Sequence, residues 1–165
     1  MDATTVAVDV AKSVFELAIA NAEWRVGAHQ RLNRTQFTRF LAETPATHVV
    51  MEACGTAHYW GRIAQARGHR VTLIPPAYVR PYVRRNKTDR ADAEAILEAV
   101  RSGQVPAVAV KRVEQQALVA LHRVREQWMT TADVAHQYVT REFTRARTLA
   151  VGWCARRAEG RPEDA

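Results

Sequence analysis

Residues 48–74 do most to constrain what this chain can fold into. HVVME (48–52) is a short apolar run, HYWGRIAQAR (58–67) suits a helix that stops at Gly68, and RVTLI (70–74) is a second run halted by Pro75-Pro76. A strand, a helix and a strand in immediate succession make a crossover unit, and its two strands lie parallel. Part of the sheet is therefore parallel. Upstream, TTVAVDVA (4–11) and SVFELAIA (13–20) read as strands and residues 23–28 as a third, giving a short antiparallel meander. TQFTRFLAE (35–43) has Phe37, Phe40 and Leu41 at helical spacing, with Thr35 as N-cap and Pro45 marking the exit. Thr88 caps a helix over 89–102 that ends at Gly103, and residues 105–110 read as an edge strand. A long helix covers 114–131, with Leu118, Leu121, Val124 and Arg125 on one side. Beyond Thr131 no period is evident, and the final RRAEGRPEDA reads as a disordered, polar end. The fold class is α/β, a mixed sheet flanked by helices, followed by a long helix and a poorly ordered tail.

The chain carries a net charge of +7, and 47% of its residues are hydrophobic, which fits a folded domain with an anionic partner, most often nucleic acid. Arginine supplies 21 of the 24 basic side chains, which a GC-rich genome also explains. Cys54 and Cys154 make neither a disulfide framework nor a zinc set. No apolar run is long enough to span a bilayer and the first residues lack signal-peptide order, so a reducing cytoplasm is the expected location.

Against this basic background Asp9, Glu52, Asp89 and Asp92 stand apart. Asp9 interrupts the apolar VAVDVA, Glu52 ends a strand, and Asp89 and Asp92 are three apart on one helix face. Carboxylates at the ends of adjacent parallel strands, joined by others from a helix, can hold divalent metal, and crowded carboxylates repel unless a cation sits among them. Each acid also has an ordinary reading: a turn residue at Asp9, an exposed strand end at Glu52, a helix N-terminus favouring negative charge at Asp89 and Asp92. The stretch RPYVRRNKTDR (80–90) carries five basic residues. Arg80, Arg84, Arg85, Lys87 and Arg90 suit phosphate contacts and Tyr82 suits stacking on a base; a solvated loop is the plain alternative. Lys12, three residues past Asp9, can approach the same substrate. The histidines lack metal-ligand spacing, His58 reads as a helix-face residue, and neither serine, Ser13 or Ser102, sits in a nucleophile motif.

Taken together, VAVDVAKSVFELAIA, the stretch from VVMEACGT to KTDRADAEAI, and VEQQALVALHRVRE resemble the N-terminal part of IS110-family transposases, the IS1111 group included, over about residues 5–131. The resemblance implies a RuvC-like domain of the RNase H-like superfamily over 1–111, the start of a long coiled-coil-like segment over 112–131, and an atypical tail over 132–165. It implies a D-E-D-D set, with Asp9 in VAVDVAK, Glu52 in VVMEACGT, and Asp89 and Asp92 in KTDRADA as catalytic Mg²⁺ ligands. It further implies DNA as substrate, a structured guide RNA, and a homo-oligomer in the full-length protein. Family members continue into a second domain bearing a serine nucleophile, which is absent here, so this chain is expected to be a truncated form incomplete for strand exchange.

The tail departs from the family. One codon choice for ADVAHQYVTR (132–141), read one base later, gives RTSRINTLR, which resembles the family's continuation, so a frameshift near Thr131 is expected; the genomic sequence decides it. Two other functional readings stay open: a stand-alone RuvC-like metal-dependent nuclease using water, and a non-catalytic nucleic-acid-binding remnant. An actin-like ATPase is disfavoured, because Asp9-Val10-Ala11-Lys12 lacks the glycines that let backbone wrap phosphates.

Overall fold

A computed structural model describes residues 5–83 and 88–158. In chain order it contains β1 (Thr5–Val10), β2 (Val14–Ala20), β3 (Val26–Asn33), α1 (Arg34–Glu43), β4 (His48–Glu52), α2 (Ala57–Ala66) and β5 (Arg70–Ile74). There follow α3 (Pro76–Val79), a 3₁₀ turn at Arg80–Tyr82, α4 (Asp89–Arg101) and α5 (Val113–Ala158). The sheet order is β3-β2-β1-β4-β5. β1, β2 and β3 form an antiparallel meander, while β4 lies parallel to both β1 and β5. A three-strand meander extended by two crossover strands is the RNase H-like arrangement. The chain divides into two compact units, Met1–Arg112 and Val113–Ala165.

Strand alternation sorts the sheet's side chains between two cores. Val6, Val8, Phe15, Leu17, Val49, Met51 and Leu73 meet Phe37 and Leu41 of α1 and Trp60 and Ala64 of α2. Phe15 stacks on Phe37 with ring centroids 4.8 Å apart and meets Trp60 edge-on at 5.0 Å. The opposite face carries Ala7, Ala18, Ala20, Val50 and Ile74 and packs on Ala93, Ala95, Ile96, Leu97 and Ala99 of α4. The contact layer under α4 is thus largely alanine.

Several boundaries differ from those the sequence suggests, each for a local reason. The third strand runs to Asn33 rather than stopping near residue 28, because it pairs with β2 along its whole length. Asn33, not Thr35, caps α1: its side chain accepts from the Gln36 amide at 2.9 Å while Gln36 accepts from the Asn33 amide at 2.8 Å. Residues 105–110 contribute a single antiparallel bridge, Leu73 with Val108, rather than a strand; Pro106 removes one ladder donor. The long helix does not end near Thr131 but continues to Ala158. No proline and no glycine before Gly152 interrupts it, and its Ala, Arg, Gln and Glu favour helix even where apolar periodicity is absent.

The parallel pair β4–β5 starts with a buried polar contact. His48 is buried; its Nε2 lies 2.8 Å from Thr72 Oγ1, and Arg70 donates to its Nδ1 at 2.8 Å. Burial, then the adjacent Arg70 charge, pushes His48 down to about 4. The unfolded imidazole takes up its proton near its ordinary 6.5. Stability is therefore full above that value and is lost as pH falls toward 4. The expected loss is about 1–2 kcal/mol after allowance for solvent screening. His48→Gln, which keeps a neutral amide there, is expected to flatten the fall in melting temperature between pH 7 and pH 4.5. An unaltered fall in the variant would assign the acid sensitivity elsewhere.

Candidate metal centre

The parallel pairing of β1 with β4 sets Val8 opposite Met51, so the next residues, Asp9 and Glu52, reach the same level at the two carboxyl ends. Ala7 and Val50 face α4. Two residues further on, Asp9 and Glu52 face the same side. The first turn of α4 holds Asp89 and Asp92, and the Thr88 hydroxyl accepts from the Ala91 amide at 3.2 Å to start the helix. Carboxylates are favoured there by the helix dipole.

The acids feel one another. Burial first, then the negative charges of Asp92, Asp89, Glu52 and Glu16, raise Asp9 to about 6. Glu52 is also raised, by burial and then by Asp92, against an opposing pull from Arg80. The four acids singled out in the sequence thus share one electrostatic neighbourhood at the carboxyl edge of the sheet. Among the described residues, no three Asp, Glu, His or Cys side chains approach closely enough to form a ready metal-holding group. The donors are the hard oxygens that Mg²⁺ prefers, and their mutual repulsion is what a cation relieves. In chemistry the set fits a divalent ion; its spacing here is open.

Two members of this neighbourhood are absent from the sequence reading. Glu16 sits directly across the β1–β2 ladder from Asp9, and Arg31 sits across β2–β3 from Glu16. The Arg31 guanidinium lies 3.3 Å from Glu16 and 3.7 Å from Asp89, tying the meander to the start of α4. Glu16 was findable: it is the polar member of the alternating VFELAIA, and a tight hairpin sets it opposite Asp9. Arg31 carries no comparable signal, since β3 is mostly exposed.

The basic candidates separate. Arg80 lies close enough to act on Glu52, so it belongs to the acidic edge. Lys12 occupies the exposed β1–β2 turn, where its carbonyl accepts two bonds from Arg34, at 2.7 and 3.1 Å. Arg90 lies 3.8 Å from Glu94 one turn along α4, and Glu94 also lies 3.0 Å from His29. Tyr82 lines a small hollow with Val26, Ala91 and Leu97, beside α4. Arg84, Arg85 and Lys87 lie outside the described residues. His58 holds the Lys111 backbone, accepting from its amide at 3.2 Å, which is a structural role.

Comparison with known proteins then fixes the family. The family model for the DEDD transposase of IS110 elements, described as "Transposase", matches residues 6–144. The chain belongs to the IS110 transposase family. The IS110 chain is 42% identical over 125 residues to a probable family 20 transposase of Pseudomonas aeruginosa, covering 76% of this chain and 37% of that protein. It is 40% identical over 123 residues to the transposase for insertion sequence element IS1328 of Yersinia enterocolitica, covering 74% and 37%. It is likewise 40% identical over 125 residues to the transposase for insertion sequence element IS1111A of Coxiella burnetii, covering 76% and 34%. The chain spans about a third of the length of these relatives. Among solved structures, T. thermophilus RuvC in complex with Holliday junction substrate aligns with a TM-score of 0.45 at 14% identity, over 63% of this chain and 98% of that one. Another Thermus thermophilus RuvC structure aligns with a TM-score of 0.46 at 13% identity, over 63% and 99%. The IS110 chain thus shares its family with transposases of insertion sequences. No helix among its described residues is long and apolar enough to cross a membrane.

Proposed function

We propose that this IS110 chain binds DNA and holds Mg²⁺ with Asp9, Glu52, Asp89 and Asp92. One observation carries this reading: two strand-end acids and two helix-start acids, far apart in sequence, lie along one edge of the sheet, and the charges of the other three add to burial in raising the Asp9 pKa. Magnesium bound there stabilises charge on the oxygens of a scissile phosphate. The protein's own residues do the rest. Asp9 must lose its proton to bind the ion, Arg31 offsets the charge of Glu16 and Asp89, and Arg80 stands beside Glu52 to receive a phosphate. Lys12, Arg84, Arg85, Lys87 and Arg90 extend that phosphate contact and Tyr82 offers a ring for stacking. A guide RNA remains part of the reading on the strength of the family alone, and a cytoplasmic setting goes with it.

The homo-oligomer has support in α5. Before Thr131 its apolar side chains Leu118, Leu121, Val124 and Trp128 are all exposed. A helix with such a run of apolar side chains in water is suited to pair with a second copy.

The test uses the 165-residue chain. Millimolar Mg²⁺ is expected to raise its melting temperature, and a branched DNA is expected to bind with steep salt dependence and remain uncut. Cutting that needs Mg²⁺ and vanishes in Asp9→Asn would establish the stand-alone nuclease instead. Binding with no response to Mg²⁺ would leave the non-catalytic remnant.

A further inference from the structure

On the sheet face opposite the acids, α1 and α2 leave an open groove of about 520 Å³. It is lined by Arg34, Thr35, Thr38 and Arg39 from the first helix and by Tyr59, Trp60 and Arg67 from the second helix and its end, with no acidic residue among the lining. Trp60 is buried and forms its floor, while Tyr59 stands 53% exposed with its ring edge-on to Trp60 at 5.2 Å. Arg39 shares its charge with Glu43 at 2.6 Å, but Arg34 is engaged through the neutral carbonyl of Lys12 and by no carboxylate among the described residues, and Arg67 is exposed at the helix end.

The two helices that line the groove both start at the carboxyl edge of the sheet. α1 follows directly on β3, whose last residue pairs with the first of β2 beside the β1–β2 turn, and Arg34 grips that turn at Lys12. α2 follows β4 closely, so Tyr59 lies near the end that carries Glu52. Arg39 and Arg67 lie further back along the two helices.

We propose that this groove carries a single strand of DNA away from the acidic edge, with phosphates on Arg34, Arg39 and Arg67 and an unpaired base on Tyr59. Arg34 and Arg67, which have no carboxylate partner among the described residues, and Arg39, which shares its charge with Glu43, suit a phosphate backbone, and an exposed ring beside them suits a base freed from its stack. A duplex keeps its bases out of reach of such a ring. The choice of DNA rests on the proposed function, because the Arg34 end of the groove lies toward the same edge of the sheet as the acids, on the other face; the groove itself needs no metal.

The experiment is therefore run in EDTA, so that failure of the metal site leaves it unaffected. A fluorescein-labelled oligo-dT of about 20 nucleotides is titrated against the full chain by anisotropy over a range of salt, beside oligo-U and a DNA duplex of equal length. Arg67→Glu and Tyr59→Ala are each expected to weaken oligo-dT binding about tenfold, and Arg67→Glu is expected to shrink the salt slope by about one. Unchanged melting temperatures show that both variants fold, and Tyr59→Phe, which keeps the ring, is expected to restore binding. The proposal is overturned by oligo-dT affinity that neither variant alters, by tighter binding of duplex, or by a preference for oligo-U of tenfold or more.

Discussion

Asp9→Asn is expected to raise the melting temperature of the metal-free chain at pH 7.5 by roughly 3–6 °C and to remove the further rise that Mg²⁺ gives the parent protein. The two effects have one cause. In the fold Asp9 keeps its proton up to about 6, against an ordinary 3.8 in the open chain. The native state therefore binds more protons than the unfolded state across that interval, and stability falls as pH rises through it. Above it the whole cost of an ionised, half-buried carboxyl among other acids is present, about 1–2 kcal/mol once solvent screening is allowed for. Asparagine keeps the shape and drops the charge, so the cost disappears together with the ligand. Thermal melts at pH 4.5 and pH 7.5, with and without Mg²⁺, read both. A variant that melts like the parent at neutral pH and still responds to Mg²⁺ would remove Asp9 from the centre.

Phe15→Ala is expected to cost about 3–5 kcal/mol and to leave the first unit largely unfolded under mild denaturant. Phe15 is fully buried and is the hinge of an aromatic trio with Phe37 and Trp60, so its loss empties the point where β2, α1 and α2 meet. Phe40 is only partly buried and touches the same trio from outside, 6.3 Å from Phe37. Phe40→Ala should therefore cost much less. Urea unfolding followed by tryptophan fluorescence separates them, and equal losses for the two would contradict the packing described above.

The sheet was legible because its signals are strong and local. The alternation of VFELAIA, the apolar HVVME and RVTLI, and the stops at Gly68 and Pro75 leave few other pairings, and the acids at the ends of two strands followed from them. What escaped depended on distance. Glu16 and Arg31 matter because of cross-strand register, which no single segment announces. The continuation of α5 past Thr131 rests on helix propensity without an apolar stripe, a pattern that periodicity does not detect. The α1–α2 groove gathers arginines separated by as much as 33 positions, from Arg34 to Arg67, and nothing about either one alone marks it as a neighbour of the other.

The alanine layer beneath α4 has a geometric effect beyond stability. Methyl groups at Ala7, Ala18, Ala93 and Ala95 act as a thin shim, and the helix that carries Asp89 and Asp92 rests directly on it. Thickening that shim by one or two carbons lifts the whole rod and draws two of the four carboxylates away from the other two. Evolution can thus adjust the reach between the two halves of the acidic cluster through the smallest side chains in the protein, without touching an acid.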